Sequence, residues 1–285
     1  MQSVDLHAHS TASDGLLSPA SLIHEAAKNG IGLFALTDHD VTTGIAEARA
    51  AAAAENVRLV PGVEISVTWR GKTIHILGLG IDPSCGLLQE GLAWVRSGRC
   101  TRAERIAAEL SRVGIEGSFE GAARHAGNAD FIGRMHFARY LVECGKASET
   151  RDVFKRYLSE GRPGFVPHQW ASLEDAVSWI HAAGGEAVIA HPGCYDLGSG
   201  GLTQLATEFR DAGGTAVEVV APSHRSADFV ALAKLCHTFG FRASIGSDYH
   251  GPGEQRLELG RLPALPHGVT PIWERWSLTN GLAAH

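Results

Sequence analysis

Short apolar runs alternate along the chain with amphipathic stretches that end in glycine. IGLFAL, from Ile31, is almost wholly hydrophobic and has the length of a strand buried on both faces. Before it, SPASLIHEAAKNG predicts a helix with Ser18 as N-cap, Pro19 at its first position and Gly30 beyond its end. After it, the alanine-rich segment from Thr43 to Glu55 predicts a second helix. VRLVPGVEIS then reads as a short strand that delivers Glu64, and a turn at Arg70-Gly71-Lys72 leads into a fourth strand carrying His75. The same rhythm of helix, glycine and apolar strand returns in HAAGGEAVIAHP, RDAGGTAVEVV and CHTFGFRASIGSDYH. Seven strands are predicted, starting near Ser3, Ile31, Val57, Thr73, Glu186, Thr215 and Arg242. Their alternation with helices implies βα units and a mainly parallel sheet.

What these strands carry narrows the architecture. His7 and His9 stand two apart after an apolar run, so a strand directs both to one face. Asp14 follows in a loop. Later strands bring His39, Glu64, His75, His191, Asp248 and His250, at the C-terminal ends or within the strand. Scattered core histidines would not keep that phase. In β/α barrels the reactive residues gather at the C-terminal strand ends, and contributions from both ends of the chain favour a closed or nearly closed barrel over an open sheet. The predicted fold is therefore α/β, a distorted seven-stranded (β/α)7 barrel built from residues 1–95 and 169–285. The stretch between strands four and five is helical in pattern over Gly86–Gly114, Phe131–Cys144 and Ser148–Gly161. It reads as a helical insert, residues 96–168, covering the barrel mouth. The tail after Gly251 reads as irregular, with WERWSLTNGLAAH packing back on the barrel.

The nine candidate ligands are six imidazoles and three carboxylates, too many for one tetrahedral ion and suited to two or three divalent ions. Fifteen histidines against two methionines fit that reading. Five widely spaced cysteines without a CxxC argue against a disulfide framework and a cysteine zinc site, and for a reducing cytoplasm. The N-terminal MQSVDLHAH lacks the pattern of a signal peptide, and no apolar run has the length of a membrane span. A net charge of −6 disfavours bulk electrostatic binding of nucleic acid but leaves room for a small anion at a local cationic site. Nothing points to an obligate protein partner.

The motifs Asp5-Leu6-His7-Ala8-His9, Ser13-Asp14-Gly15, Thr37-Asp38-His39-Asp40, Pro61-Gly62-Val63-Glu64, Ala190-His191-Pro192 and Gly246-Ser247-Asp248-Tyr249-His250-Gly251, with His75, occur in this order. The chain thereby resembles the PHP (polymerase and histidinol phosphatase) family of metal-dependent phosphoesterases over nearly its whole length. It is most similar to the branch that hydrolyses nucleoside 3′,5′-bisphosphates, some of whose members also trim RNA from the 5′ end. The resemblance implies a distorted seven-stranded barrel. It implies one metal on His7, His9, Glu64 and Asp248, a second on Glu64, His75 and His191, and a third on Asp14, His39 and His250. Manganese is expected first, with iron or zinc as alternatives. Asp38 and Asp40 would at most orient imidazoles.

The related branch has Arg-Pro-His where this chain has Arg134-Met135-His136, so Met135 is a departure. Arg134 is expected to steady the phosphate, and His136 to bind it; the plain alternative is a solvated helix face. His224, just past the sixth strand, is a candidate for touching phosphate or protonating the leaving group. Arg70 and Lys72 read as turn residues, and His168 as a residue that could line the site. His24, His181 and His237 fall in helices, while His125 and His267 fall in irregular stretches. Gly198-Ser199-Gly200-Gly201 reads as a turn, lacking the Lys-Ser/Thr of a P-loop.

The expected activity is that of a phosphoric monoester hydrolase releasing the 3′-phosphate of a nucleoside 3′,5′-bisphosphate by in-line attack of a metal-bridging hydroxide. Glu64 and Asp248 would serve catalysis through the metals. The alternatives are a 5′-to-3′ exoribonuclease on short RNA, a histidinol-phosphate-type phosphatase, and a non-catalytic metal-stapled module, against which the size of the ligand set argues.

Overall fold

A computed structural model of the chain describes residues 3–128, 131–254 and 257–277. All seven predicted strands are present: β1 (Ser3–Asp5), β2 (Ile31–Leu36), β3 (Arg58–Trp69), β4 (Lys72–Leu79), β5 (Glu186–Ile189), β6 (Ala216–Val220) and β7 (Arg242–Ile245). They lie side by side in chain order in one sheet. Neighbours pair in parallel except where β4 meets β3 and β5, so β4 alone runs against the rest. The reversal is the β3–β4 hairpin, whose two-residue tip is Arg70 (φ 49°) and Gly71 (φ 76°). Two positive φ values in succession are what a tight type I′ hairpin requires, and glycine meets the second without strain. No ladder joins β1 to β7 among the described residues. The segments just beyond them meet instead, through the Leu6 N–H bond to the Ile245 carbonyl (3.0 Å) and a parallel bridge between Ala8 and Tyr249.

One departure from the sequence reading concerns the strands. β3 does not stop at Ser66 but runs three residues further, to Trp69, because its second half is held by β4. His75 lies in the first half of β4, opposite Ser66. Being antiparallel, β4 begins at the end of the sheet where its neighbours finish, so His75 still reaches the shared rim.

Helices α1 (Pro19–Lys28), α2 (Ile45–Glu55), α7 (Leu173–Ala182), α8 (Gly201–Asp211) and α9 (Ser226–Phe239) follow the βα rhythm. Ser18 caps α1 as its position predicts, accepting from the Ser21 N–H at 3.2 Å. Phe209, Ile180, Val177 and Leu232 of these helices bury against Val217, Ile189 and Ile76 of the sheet. A further cluster gathers Leu6, Ala35, Val60, Leu77, Val188 and Ala216 from successive strands with Ile272 of the tail, and Trp273 and Trp276 pack on it. The tail thus does fold back; residues 278–285 lie outside the described residues. No described helix is long and apolar enough to cross a membrane.

Between β4 and β5 stand α3 (Gly86–Ser111), α4 (Ser118–His125), α5 (Arg134–Glu143) and α6 (Thr150–Val153), the last continuing as a π-helical turn to Leu158. Residue 96 falls inside α3. Leu88 and Leu92 of this helix bury in the main core, whereas Ala103, Ile106 and Leu110 bury with Phe137, Leu141, Val153 and Leu158 in a cluster of their own. His125, expected in an irregular stretch, belongs to α4 and pairs with Glu143 at 2.8 Å. SFEGAARH is too short and too polar to show helical periodicity in the sequence.

At the middle of α3, buried Arg99 lies between the rings of Phe131 (4.2 Å) and Trp170 (4.8 Å). Its guanidinium pairs with buried Asp40 and donates to Ser66 Oγ at 2.9 Å, and Asp40 accepts from the Ser66 N–H at 2.7 Å. One ion pair thus fastens the long helix to the ends of β2 and β3. Removing one partner leaves the other charge buried and alone, which costs roughly 3–5 kcal/mol. Arg99→Met is expected to lower the unfolding free energy by about that much in urea titration, and Asp40→Asn on top of it to restore part of the loss. A single variant as stable as the parent would contradict this.

Candidate metal centre

Glu64 is the point on which the rim converges. β2 ends at Leu36, but the chain beyond it keeps pairing alongside β3: the Glu64 N–H donates to the Asp38 carbonyl (3.2 Å) and the Asp40 N–H to the Glu64 carbonyl (2.9 Å). Glu64 therefore sits inside its own strand yet level with the loop that carries His39. Its side chain is fully buried. Oε2 lies 2.8 Å from His39 Nδ1, 3.3 Å from His9 Nε2 and 3.4 Å from His7 Nε2, while Oε1 lies 2.9 Å from both His75 Nδ1 and His191 Nε2. Asp248 Oδ1 approaches His9 Nε2 (3.1 Å) and His7 Nε2 (3.3 Å). Asp14 stands 3.4 Å from His250 Nε2, 3.8 Å from His39 Nε2 and 4.0 Å from His9 Nδ1. All nine candidate ligands named from the sequence are thus brought together. Non-glycine residues with positive φ occur here at Asp40, His191 and Asp248. Such backbone costs on the order of 1–3 kcal/mol and persists where the surroundings impose it.

These contacts do not amount to a hydrogen-bond network. Glu64 Oε2, His39 Nδ1, His75 Nδ1 and His9 Nδ1 are buried without a hydrogen-bond partner, although carboxylate and imidazole atoms are close. Nε2 of His7 faces Nε2 of His9 at 3.1 Å. Lone pairs converging in this way are unfavourable by themselves and suit cations that accept them all. Three groups offer ligand atoms within 4.8 Å of one another: His7, His9, Glu64 and Asp248; His9, Asp14, His39 and His250; and His39, Glu64 and His75. The first is the set the resemblance gives. The second adds His9 to the expected trio. The third has His39 in place of His191, which meets the same Glu64 oxygen as His75 does.

The proton affinities follow from this crowding. Burial opposes ionisation of Glu64, but His39, His75 and His7 hold its carboxyl well below the usual carboxylate range. Asp14 is likewise buried and likewise held low, by His39 and His250. Burial also opposes a charge on His7, and Glu218, Glu64 and Asp248 outweigh it, raising its pKa well above the ordinary value. His9, His39 and His250 move in the same direction against burial, through Asp248, Glu64 and Asp14. At His75 burial prevails and the pKa falls to about 4.

Residues around the cluster hold it in shape, and most were not assigned that role from the sequence. Glu218, fully buried in β6, has Oε1 3.0 Å from His7 Nδ1 and accepts the His191 N–H at 2.6 Å on Oε2. It fixes the tautomer that leaves His7 Nε2 for the cluster. A lone carboxylate in the apolar run AVEVV was the available signal. Gly246 packs against the same pair: a Cβ there would stand 2.2 Å from His7 Cβ and 2.6 Å from Glu218 Oε1. Asp5 accepts the Ser247 N–H at 2.9 Å, and burial lifts its pKa to about 6. Asp38 and Asp40 do not orient imidazoles as expected. Asp38 accepts from Ser10 N–H (2.7 Å), Ser10 Oγ (2.7 Å) and Ser13 Oγ (2.6 Å), pinning the loop that presents Asp14, and Asp40 is taken by Arg99 and Ser66.

The cluster opens on a cavity of about 170 Å³ lined by Asp14, His39, His75 and His250 of the cluster and by Arg99, Arg102, Arg134 and Met135. Arg134 is one of the residues lining this cavity; it is half-buried, with its guanidinium 5.6 Å from the Phe154 ring centre. His136 and His224 are not among its lining residues. His136 is buried, accepts the Gly133 N–H on Nδ1 at 3.0 Å, and burial depresses its pKa to about 4. His224 has both ring nitrogens committed to backbone: Nε2 accepts the Gly193 N–H (2.9 Å) and Nδ1 faces the Val219 carbonyl (3.0 Å). It clasps the β5 and β6 loops together and has no nitrogen left for phosphate or a leaving group. Arg70 and Lys72 pair with Glu208 and Glu160 at the hairpin tip, as turn residues would. His168 packs on Trp170 at 4.2 Å, beside a neighbouring cavity.

A family model, the PHP domain, matches residues 5–163. The chain belongs to the PHP family. Over 96% of its length it is 49% identical to a 3′,5′-nucleoside bisphosphate phosphatase of Chromobacterium violaceum, covering 96% of that protein. Over 95% of its length it is 46% identical to the 5′-3′ exoribonuclease Rnm of Escherichia coli, covering 93% of it. Among solved structures, an amidohydrolase from Chromobacterium violaceum with bound sulfate and no metal superposes with a TM-score of 0.94 at 48% identity, covering 96% of both chains. A candidate metal-dependent phosphoesterase from Bifidobacterium adolescentis gives 0.81 at 25% identity, covering 98% of this chain and 96% of that one.

Two outcomes are expected of this PHP site. Glu218→Gln, which weakens the hold on His7, should lower manganese affinity about 10–100-fold in a chelator-buffered titration; unchanged affinity would mean that Glu218 does not orient His7 for the cluster. The second concerns pH. A histidine whose folded pKa is raised stabilises fully below its unfolded value of about 6.5, and that contribution is lost as pH rises through the folded value. His7, His9, His39 and His250 are of this kind. His75 and His136, lowered to about 4, are neutral in both states above about 6.5 and add nothing there. The melting temperature of the metal-free protein should therefore fall between about pH 6.5 and pH 8.5, and added manganese should stabilise more at the higher pH. A metal-free melting temperature that climbs over this range would contradict the assignment.

Proposed function

We propose that the chain is a metal-dependent phosphoesterase that removes the 3′-phosphate of nucleoside 3′,5′-bisphosphates, giving the 5′-nucleotide and phosphate. The observation that carries this reading is the convergence of five imidazoles on the two oxygens of one buried carboxylate, Glu64, beside a cavity that three arginines also line. The full-length similarity to a bisphosphate phosphatase supports the substrate class.

His7, His9, Glu64 and Asp248 would hold one divalent ion, Glu64, His75 and His191 a second, and Asp14, His39 and His250 a third. Mixed nitrogen and oxygen donors of this kind suit manganese, iron or zinc. Such ions, when bound, offset the charge on phosphoryl oxygens and acidify water. Glu64 and Asp248 keep the ligand shell anionic, since their neighbours hold both carboxyls ionised. Glu218 keeps His7 in one tautomer and orientation. Arg134 donates N–H groups to the oxygens of the phosphate across the cavity, a planar fork suited to that group. No side chain is assigned to protonate the leaving oxygen.

A second reading, 5′-to-3′ exonuclease action on short RNA, is favoured by one observation. The cavity at the cluster adjoins another, of about 320 Å³, past Arg102 and Arg134, which leaves room for a substrate longer than one nucleotide. A panel of adenosine 3′,5′-bisphosphate, a short 5′-phosphorylated RNA and histidinol phosphate separates the readings, with metal content measured on the same preparation. Phosphate release should be fastest from the bisphosphate, vanish with chelator and return with manganese. Undiminished turnover in metal-free protein would overturn the proposal, and faster degradation of the RNA would favour the second reading.

A further inference from the structure

The loops that carry Asp14, His39 and His250 are each tied to the helical insert. His39 lies against it directly: its ring stacks on the fully buried Phe131, 6° from parallel with 6.2 Å between centres. The next residue, Asp40, pairs with Arg99, and its carbonyl accepts from Arg96 Nη1 at 2.7 Å. The Asp14 loop is held by Asp38 and also by the insert, where Asn128 Nδ2 donates to the Ala12 carbonyl at 3.0 Å. The loop of His250 runs on to Glu254, whose carboxylate accepts from both Nε (2.8 Å) and Nη2 (2.6 Å) of Arg139 in α5. That pair is largely withdrawn from water, its side chains 6% and 12% exposed. The first and last of these loops are joined to each other as well, the Leu16 N–H donating to the His250 carbonyl at 2.7 Å. The other ligands are held from within the barrel. Glu218 of β6 meets the His7 ring and the His191 N–H. The Tyr195 hydroxyl accepts the His75 N–H at 2.8 Å, and Asp5 of β1 accepts the N–H of Ser247, the neighbour of Asp248.

Ligands on loops that are fixed before an ion arrives lose less freedom on binding it, so the residues that fix them raise its affinity. Charge makes one group the most dependent on such help. His9, Asp14, His39 and His250 offer ligand atoms within 4.8 Å of one another but only one carboxylate, whereas His7, His9, Glu64 and Asp248 offer two. We propose that the insert sets the affinity of one ion alone, that of Asp14, His39 and His250, with Arg139, Glu254 and Asn128 as positioning residues, while the other ions bind without its help. Linkage makes the effect reciprocal: the ion fastens α5 as α5 fastens the loop. Since α5 begins at Arg134, which lines the cavity beside these ligands, one contact places both the ion and the arginine. The inference rests on the three-ion assignment made above for the phosphoesterase.

The test counts manganese bound by the initially metal-free chain across a chelator-buffered series of free concentrations. The parent should bind three ions, and Glu254→Gln should weaken one of them about tenfold or more while leaving the others in place. Asn128→Ala should weaken the same ion. His250→Ala lacks a ligand of that ion, so adding Glu254→Gln to it should change nothing further. Equal weakening of every ion, unchanged binding, or an added loss in the His250→Ala background would overturn the proposal. Hydrogen exchange supplies a second readout. Filling the weakest site should slow exchange of the α5 amides in the parent and not, at the same free manganese, in Glu254→Gln; equal protection in both would also overturn it. Should Glu254→Gln melt early, Asn128→Ala, at a separate contact, decides by the same criteria. A parent that binds fewer than three ions contradicts the assignment and the inference with it. A parent with three ions whose variants lose all of them alike contradicts only the role of the insert.

Discussion

A carboxylate with no exposed surface is the constraint behind this structure. Glu64 lies at the centre of the rim, and an ionised group so placed is costly unless opposite charge or donors surround it. Five histidines from four different parts of the chain do so, together with the cations their geometry invites. The fold supplies the means. Parallel strands in chain order deliver the post-strand loops to one end, and the single reversed strand delivers His75 from its beginning rather than its end. Three of the five non-glycine residues with positive φ among the described residues, Asp40, His191 and Asp248, lie at this rim.

Much of this was legible in the sequence because it is local. Strand starts follow from apolar runs and glycine punctuation, and each ligand sits within a few residues of such a run. What was not legible is pairing between distant segments. The partner of His7 in β6 is 211 residues away, and nothing near Glu218 states that its strand borders β7 and the N-terminal loop. Asp40 resembled an imidazole's partner because it adjoins His39; its real partner, Arg99, is 59 residues on, in a helix whose sequence shows only amphipathic spacing. His224 illustrates the converse error. Position near the mouth suggested chemistry, but a nearby backbone donor and acceptor had claimed both nitrogens.

The length of α3 has a consequence for the site. Its first half belongs to the main core and its second to the cluster formed with α5 and α6, so Arg99 and Arg102 are carried on a helix anchored at both ends. Residues on a rigid element hold their positions better than residues on a loop. The long helix therefore does more than bridge two cores. It carries Arg99 and Arg102 to the cavity that the ligand cluster also lines.

That division of labour accounts for how relatives with different named activities can share so much sequence. Breaking a P–O bond with metal assistance requires the ligand rim, and the rim gains nothing from knowing what lies beyond the reacting phosphate. Selectivity must then come from interactions with the rest of the substrate, outside the ligand rim. A change of a few side chains on α3, α5 or the hairpin tip could move preference between a mononucleotide and a chain without disturbing Glu64. The overall charge of −6 is consistent with this arrangement, since attraction for an anion has to be local to the cavity rather than spread over the surface.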